Sequence, residues 1–277
     1  MGMARDSMLL RSGSAALGVA HLLFARRAVI IATTRLELRR RYSGSLLGLS
    51  WAVLYPLLFL GIYLFVFLVL FGVRFPGYGD LDYALYVLSG LVPYLALIES
   101  VTTASRSIRQ NVQLIRNVVL PIELIPLRCV AVAMVGQLVG LVLVLALAAV
   151  AGSASINWAW LPVLLALQFL LCAGIALLVA PLGAALADTE QAAQLVLLLL
   201  LFASPIAFAR DMVPDAARIL VDANPVYYLI ESFRGSIIAE HPVNPHVPAV
   251  FAALALGAFV LGSTVFARAK SILADHV

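Results

Sequence analysis

Long apolar runs alternate with short polar breaks along this chain. Six runs reach the roughly 20 residues a helix needs to cross a hydrocarbon core: about 46–73, 83–104, 128–151, 158–182, 191–209 and 247–267. Runs of this length in lipid are helical, because an open strand edge would leave backbone donors and acceptors unpaired. The pattern predicts an all-α integral membrane protein with six transmembrane helices. Residues 1–45 precede the first run and 268–277 follow the last, which divides the chain into a basic leader, a transmembrane domain over 46–267 and a short tail.

Two polar-interrupted segments carry their own periodicity. In "SRSIRQNVQLIRNVVLP" (105–121), Ile108, Val112, Ile115 and Val119 share one helical face, while Arg106, Arg109, Gln113 and Arg116 take the other. The spacing predicts a short amphipathic helix ended by Pro121. Such a helix lies on anionic lipid or docks a soluble partner, and periodicity alone does not choose. Between the fifth and sixth runs, residues 210–246 are too many for a simple turn. Pro214 opens a short helix, and Asn224-Pro225 reads as an N-cap with a first-turn proline. In "VYYLIESFRGSII", Val226, Leu229, Ile230, Phe233 and Ile237 form an apolar side, and Glu231 and Arg234 stand three apart as a possible ion pair. These helices either float at the interface or cover a pore, with Tyr227, Tyr228, Glu231 and Arg234 near its path.

The first run has a further pattern. Trp51, Tyr55, Phe59, Tyr63, Phe67 and Phe71 recur every four residues. Each ring lags its predecessor by about 40° on a helix, so the ladder is a spiral. Interface anchoring and packing account for several rings. Tyr55 and Tyr63 are less easily dismissed, since a buried phenol needs a partner. A ring-lined surface that also offers hydroxyls suits a sugar.

Composition supports the membrane assignment. The chain is 64% apolar and 12% charged, with a mean hydropathy of +1.06, whereas a soluble domain is nearer half apolar and a quarter charged. Cys129 and Cys172 fall within apolar runs and imply no disulfide framework. Arg26 and Arg27 follow the first mildly apolar stretch without a small-residue cleavage site, so the leader is expected to be retained. With this topology, fourteen of the eighteen basic residues fall on one side, and that side is cytoplasmic with both termini. Gly136 and Gly140 form G-x-x-x-G in the third run, the signature of a close helix contact.

Missing residues narrow the chemistry. Lys270 is the single lysine, and no G-x-x-x-x-G-K-[ST] occurs, so this sequence holds no P-loop for ATP. No metal-ligand spacing is evident. His21, His241, His246 and His276 are scattered. Carboxylates at mid-run are nearly absent, which disfavours an ion-coupled transporter or channel.

Three stretches together resemble ABC-2-type permeases. "LELRRRYSGSLLGLSWAVLYPLLFLGIYLFVFLVLFG" (36–72) resembles their basic interface helix and first span. "LSGLVPYLALIESVTTASRSIRQNVQLIRNVVLPIELIPL" (88–127) resembles the second span and following loop, and "NPVYYLIESFRGSII" (224–238) the external helix before the last span. Within that family the chain looks most like permease subunits of polysaccharide exporters for O-antigen, capsule or wall teichoic acid. The resemblance implies a homodimer of permeases in the cytoplasmic (inner) membrane, bound to two separate ATPase subunits that hold ATP and Mg. This chain would be no enzyme and would carry no cofactor. It implies a cytoplasmic interface helix, ATPase coupling through Arg106, Ile108, Arg109, Val112, Ile115 and Arg116, and an external gate at Tyr227, Tyr228, Glu231 and Arg234. A smaller ATPase contact would lie near Asp188. The path of a lipid-linked glycan would be lined by Trp51, Tyr55, Phe59, Tyr63 and Phe67. An ABC-2 exporter of a small lipid or drug is the alternative within the family.

Overall fold

The computed structural model describes residues 2–42, 47–66, 79–117, 121–239, 241 and 244–276, with every regular element among them helical. Two helices precede the first long apolar run, α1 (Gly2–Ala25) and α2 (Arg27–Tyr42). They are followed by α3 (Trp51–Leu64), α4 (Asp80–Gln110), α5 (Val112–Asn117) and α6 (Leu124–Val150). The second half contains α7 (Leu161–Ala185), α8 (Thr189–Ala203), α9 (Asp215–Asp222), α10 (Pro225–Ile237) and α11 (His246–His276).

Among the described residues four helical stretches are long and apolar enough to cross a membrane: Leu81–Gln110, Leu124–Val150, Ile156–Ala185 and His246–Lys270. Taken together, α1 and α2 also qualify, but the chain bends by 71° between them. The stretch expected to be a cytoplasmic leader with an interface helix packs α1 along α11 and α2 along α6.

The second apolar run is the centre of the molecule. Positions 83–94 of α4 are all buried, with α6, α7, α8 and α10 around them. Burial on every side explains why this helix has no apolar stripe. At the crossing of α7 and α11 the backbones come into contact. A Cβ on Gly174 would stand 2.3 Å from the Ala258 carbonyl carbon, and one on Gly262 would stand 2.0 Å from the Gly174 oxygen. These glycines let α7 and α11 touch where lipid supplies no hydrophobic drive for association. In the G-x-x-x-G of α6, Gly140 makes room for the Val92 side chain of α4, whose Cγ1 would stand 3.0 Å from an added Cβ.

Several boundaries differ from expectation for local reasons. The fifth run predicts a helix over 191–209, but α8 stops at Ala203. Ser204 is extended, as a residue before proline tends to be, and Pro205 has no N–H to continue the ladder. At fifteen residues α8 is about 22 Å long, short of a ~30 Å hydrocarbon core. The predicted 105–119 helix is not one element. The end of α4 runs on to Gln110, and Asn111 breaks it by donating from its side chain to the Ser107 carbonyl. Helix α11 continues through the expected tail to His276. In the first run α3 covers Trp51–Leu64, while residues 67–73 lie outside the described part.

Candidate functional site

The early end of α8 creates a problem that the rest of the site solves. Residues 204–206 are buried and non-helical, so their backbone oxygens need donors from elsewhere. Arg234 of α10 supplies them: its Nη2 donates to the carbonyls of Pro205 at 2.9 Å and Ile206 at 3.2 Å. Two tyrosines of α4 continue the series, Tyr83 Oη donating to Ala207 O at 3.1 Å and Tyr86 Oη to Phe208 O at 3.4 Å. Asn224, predicted as an N-cap, accepts from the Val226 N–H at 2.9 Å and also donates through Nδ2 to Ser204 Oγ at 2.9 Å. The broken helix end is thus bound to α4 and α10 at five successive residues.

Arg234 is 0% exposed. Its Nε donates to the Tyr86 carbonyl at 3.2 Å, its Nη1 bonds Glu231, and its plane lies 3.5 Å over the Tyr86 ring. A guanidinium satisfies these directions at once because its donors form a rigid planar fork. Its charge also faces the negative end of the α8 dipole. Glu231 extends the network through its other oxygen to His241 Nε2 at 2.9 Å. Burial pushes the Glu231 carboxyl up, but the Arg234 charge and the His241 contact outweigh it and hold it below the ordinary carboxylate range. Room for the guanidinium depends on Gly90, where a Cβ would meet Ile230 Cγ2 at 2.6 Å and Arg234 Nη2 at 3.2 Å.

The Glu231–Arg234 pair expected from spacing is therefore present, with both side chains buried. Tyr227 and Tyr228 sit half-buried at the other end of α10, edge to face at 5.2 Å. Tyr228 Oη donates to the Asp222 carbonyl at 2.9 Å, and Arg210 holds the Asp222 carboxylate bidentately at 2.7 and 2.6 Å. Those bonds hold Asp222 below its ordinary pKa. The exposed member of the external pair is α9, with Ile219 71% and Leu220 69% exposed.

At the opposite end of α4, the residues expected to couple to an ATPase divide between core and surface. Ile108 is buried against Ile122, Leu124, Leu127, Leu177 and Phe266. Val112 and Ile115 are half-buried, and Gln113 is exposed. Arg106 Nη1 pairs with Glu190 at 3.1 Å, and Arg109 Nη2 donates to the Ala187 carbonyl at 3.3 Å. Both contacts tie this end of α4 to the α7–α8 turn beside Asp188, so the two regions expected to meet a partner are mechanically joined. A Cβ on Gly183 would stand 1.6 Å from the Ser105 oxygen, so α4 and α7 also touch here. Arg116 falls in α5, but its side chain lies outside the described residues.

Of the aromatic ladder, Trp51 and Phe59 are half-buried, and Phe59 packs against the main core. Tyr55 and Tyr63 belong to α3, with side chains outside the described residues, as are Phe67 and Phe71 altogether. The open surface of α3 presents Val53, Leu57, Leu58 and Ile62, and α8 presents Leu195, Val196, Leu198, Leu199 and Phe202.

Periodicity missed Tyr83 and Tyr86. Their signal was indirect: a proline inside a predicted span, with a lone arginine in a nearby apolar helix that had to find acceptors.

This geometry contains a helix bundle, a pinned helix break on one side and a linked pair of turns on the other. The family model described as "ABC-2 type transporter" matches residues 28–238. Two proteins from Klebsiella pneumoniae called O-antigen export system permease protein RfbA are each 29% identical over 208 residues, which is 74% of this chain and 78% of theirs. A protein of the same name from Myxococcus xanthus is 25% identical over 263 residues, 92% of this chain and 97% of its own. With the family match covering most of its length and four long apolar helices among its described residues, this chain is a multi-pass membrane protein of the ABC-2 type transporter family.

Proposed function

We propose that this chain is the transmembrane subunit of an ATP-driven exporter that moves a lipid-linked, O-antigen-like polysaccharide across the cytoplasmic membrane. The observation that carries the reading is the match of one transporter domain, without any P-loop, to relatives named as O-antigen export permeases. Two permeases pair with two copies of a separate ATPase subunit, which binds ATP and Mg. With the six spans expected from hydropathy, both termini lie in the cytoplasm, and fourteen of the eighteen basic residues then fall on that side.

Motion enters at the end of α4. Helix α5 and the α7–α8 turn meet the ATPase, and the Arg106–Glu190 and Arg109–Ala187 contacts make them move as one. Helix α4 then acts as the lever, since Tyr83 and Tyr86 at its other end hold the α8 break and Arg234 holds α10. The external pair α9–α10 opens as a unit. The rings of α3 offer shallow repeated stacking along which a glycan slides, because tight binding at one point would stall a polymer (the logic of multi-site conduction).

Deleting the gene in its own host, with and without plasmid-borne wild type, tests the reading. Lipid-linked glycan should accumulate on the cytoplasmic side and vanish from the surface, and the plasmid should restore it. Unchanged surface glycan in the deletion strain would remove the polysaccharide assignment. Retention of a purified complex with an ATPase subunit, measured separately, decides between an ABC exporter and an ion-coupled transporter.

A further inference from the structure

The bend between α1 and α2 sits against an apolar wall. A groove of about 550 Å³ opens there, lined chiefly by Ala20, Leu23 and Phe24 of α1, Ile31 of α2, Phe169 of α7 and Phe259 of α11. Arg27 is the charged residue among the lining residues, with its guanidinium 4.9 Å from the Phe24 ring centroid. Arg26 precedes it at the bend, and both are exposed. Phe259 lies eleven residues before Lys270, roughly 16 Å up the helix from the layer where Lys270 pairs with Glu123. The groove thus runs along the apolar part of a candidate span, as an acyl chain would.

Three positive features converge at this bend. Two are the arginines, for which no ion pair is found among the described residues. The third is the N-terminal end of α2, sixteen residues long, with no acidic residue in its first turn. Cations beside lipid are costly unless they reach an anion, and an Arg fork suits a phosphate. An apolar groove with such a mouth fits a chain ending in a phosphate group. The groove shares no residue with α3, α8 or α10, so its occupant is a resident of the surrounding bilayer and not the transported molecule.

We propose that the α1–α2 bend is a binding site for an anionic membrane phospholipid. One acyl chain lies in the groove against Phe169 and Phe259, and the phosphate meets Arg27 and Arg26. The bound lipid fills the angle left beside the direct packing of α1 on α11. The groove and its arginines stand independently of the export reading; only the exclusion of the transported molecule as occupant rests on the path proposed there.

Native mass spectrometry of the purified permease, titrated with phosphatidylglycerol or phosphatidylcholine in detergent, tests it. Wild type should retain phosphatidylglycerol at least tenfold better. Each basic residue near a lipid headgroup is worth about 1 kcal/mol, or about fivefold. Arg27→Gln should therefore cut that preference about fivefold, and Arg26→Gln/Arg27→Gln should abolish it. Arg26→Lys/Arg27→Lys should keep most of it, which guards against a mere folding defect. Ala166→Trp, which obstructs the groove, should lower retention of both lipids. Equal retention of the two lipids by wild type, an unchanged preference in the double Gln variant, or full retention in Ala166→Trp would each overturn the proposal.

Discussion

Replacing Arg234 with Met tests the pinned helix break most directly. The substitution keeps much of the side-chain volume and removes every donor. It leaves Glu231, a buried carboxylate, with His241 alone, and the carbonyls of Pro205, Ile206 and Tyr86 each lose a partner. Breaking a buried pair by deleting one partner costs about 3–5 kcal/mol, because the remaining charge is uncompensated. The Pro205 and Ile206 carbonyls, left without that donor, each cost a further ~1–3 kcal/mol where no water replaces it, while the Tyr86 carbonyl keeps the Ser89 hydroxyl. A loss of at least ~4 kcal/mol follows, nearly a thousandfold in the folding equilibrium. Glu231→Gln alone should cost less, since Arg234 keeps three carbonyl acceptors. Combining Arg234→Met with Glu231→Gln should recover part of the loss, because no buried charge is then stranded. Arg234→Lys should be intermediate, as one ammonium cannot reach acceptors on both sides. The assay is thermal unfolding of the four purified variants in detergent, with membrane abundance measured in parallel. A loss under ~1 kcal/mol for Arg234→Met, or strict additivity in the double variant, would refute the network as the anchor of α8.

Other outcomes follow from the same contacts. Ile108→Asp should reduce folding itself, because Ile108 is core. Ile115→Asp, on half-buried α5, should spare membrane levels and lose ATPase stimulation; normal stimulation would remove α5 from the coupling contact. Gly262→Val should separate α7 from α11 and sharply lower thermal stability, whereas Gly257→Ala, with open space around its Cβ position, should change it by under ~1 kcal/mol. The Asp222 pKa is depressed by Arg210, so its stabilisation is complete above the unfolded carboxylate value near ~4 and is lost as pH falls through the folded value. Hydrogen exchange of α9 should therefore accelerate below about pH 4, and Asp222→Asn should remove that step. For the ladder, export per assembled complex should fall in Tyr55→Ala and Tyr63→Ala and hold in Phe71→Leu, with Tyr→Phe mild because one hydrogen bond is worth about 1 kcal/mol. Normal export by both alanine variants would reduce the rings to packing.

Continuous apolar runs determined the membrane class and the helical content, because hydrocarbon allows the backbone few other solutions. Local chemistry was legible wherever one residue acts on its neighbours. Asn224-Pro225 capped a helix as expected, Glu231 and Arg234 paired across one turn, and Gly140 marked a helix contact. What stayed hidden depends on partners distant in the chain. Hydropathy carried the fifth run past Pro205, and only the packed bundle decided that α8 could stop there. That ending needs Arg234, Tyr83 and Tyr86, which lie 29, 124 and 122 residues from the oxygens they reach. Periodicity likewise placed Ile108 on the apolar face of a surface helix, but the end of α4 turns it into a buried cluster with Leu177 and Phe266. An amphipathic pattern states that a face is apolar; which surface covers it is a property of the whole fold, since burial depends on elements brought together from across the sequence.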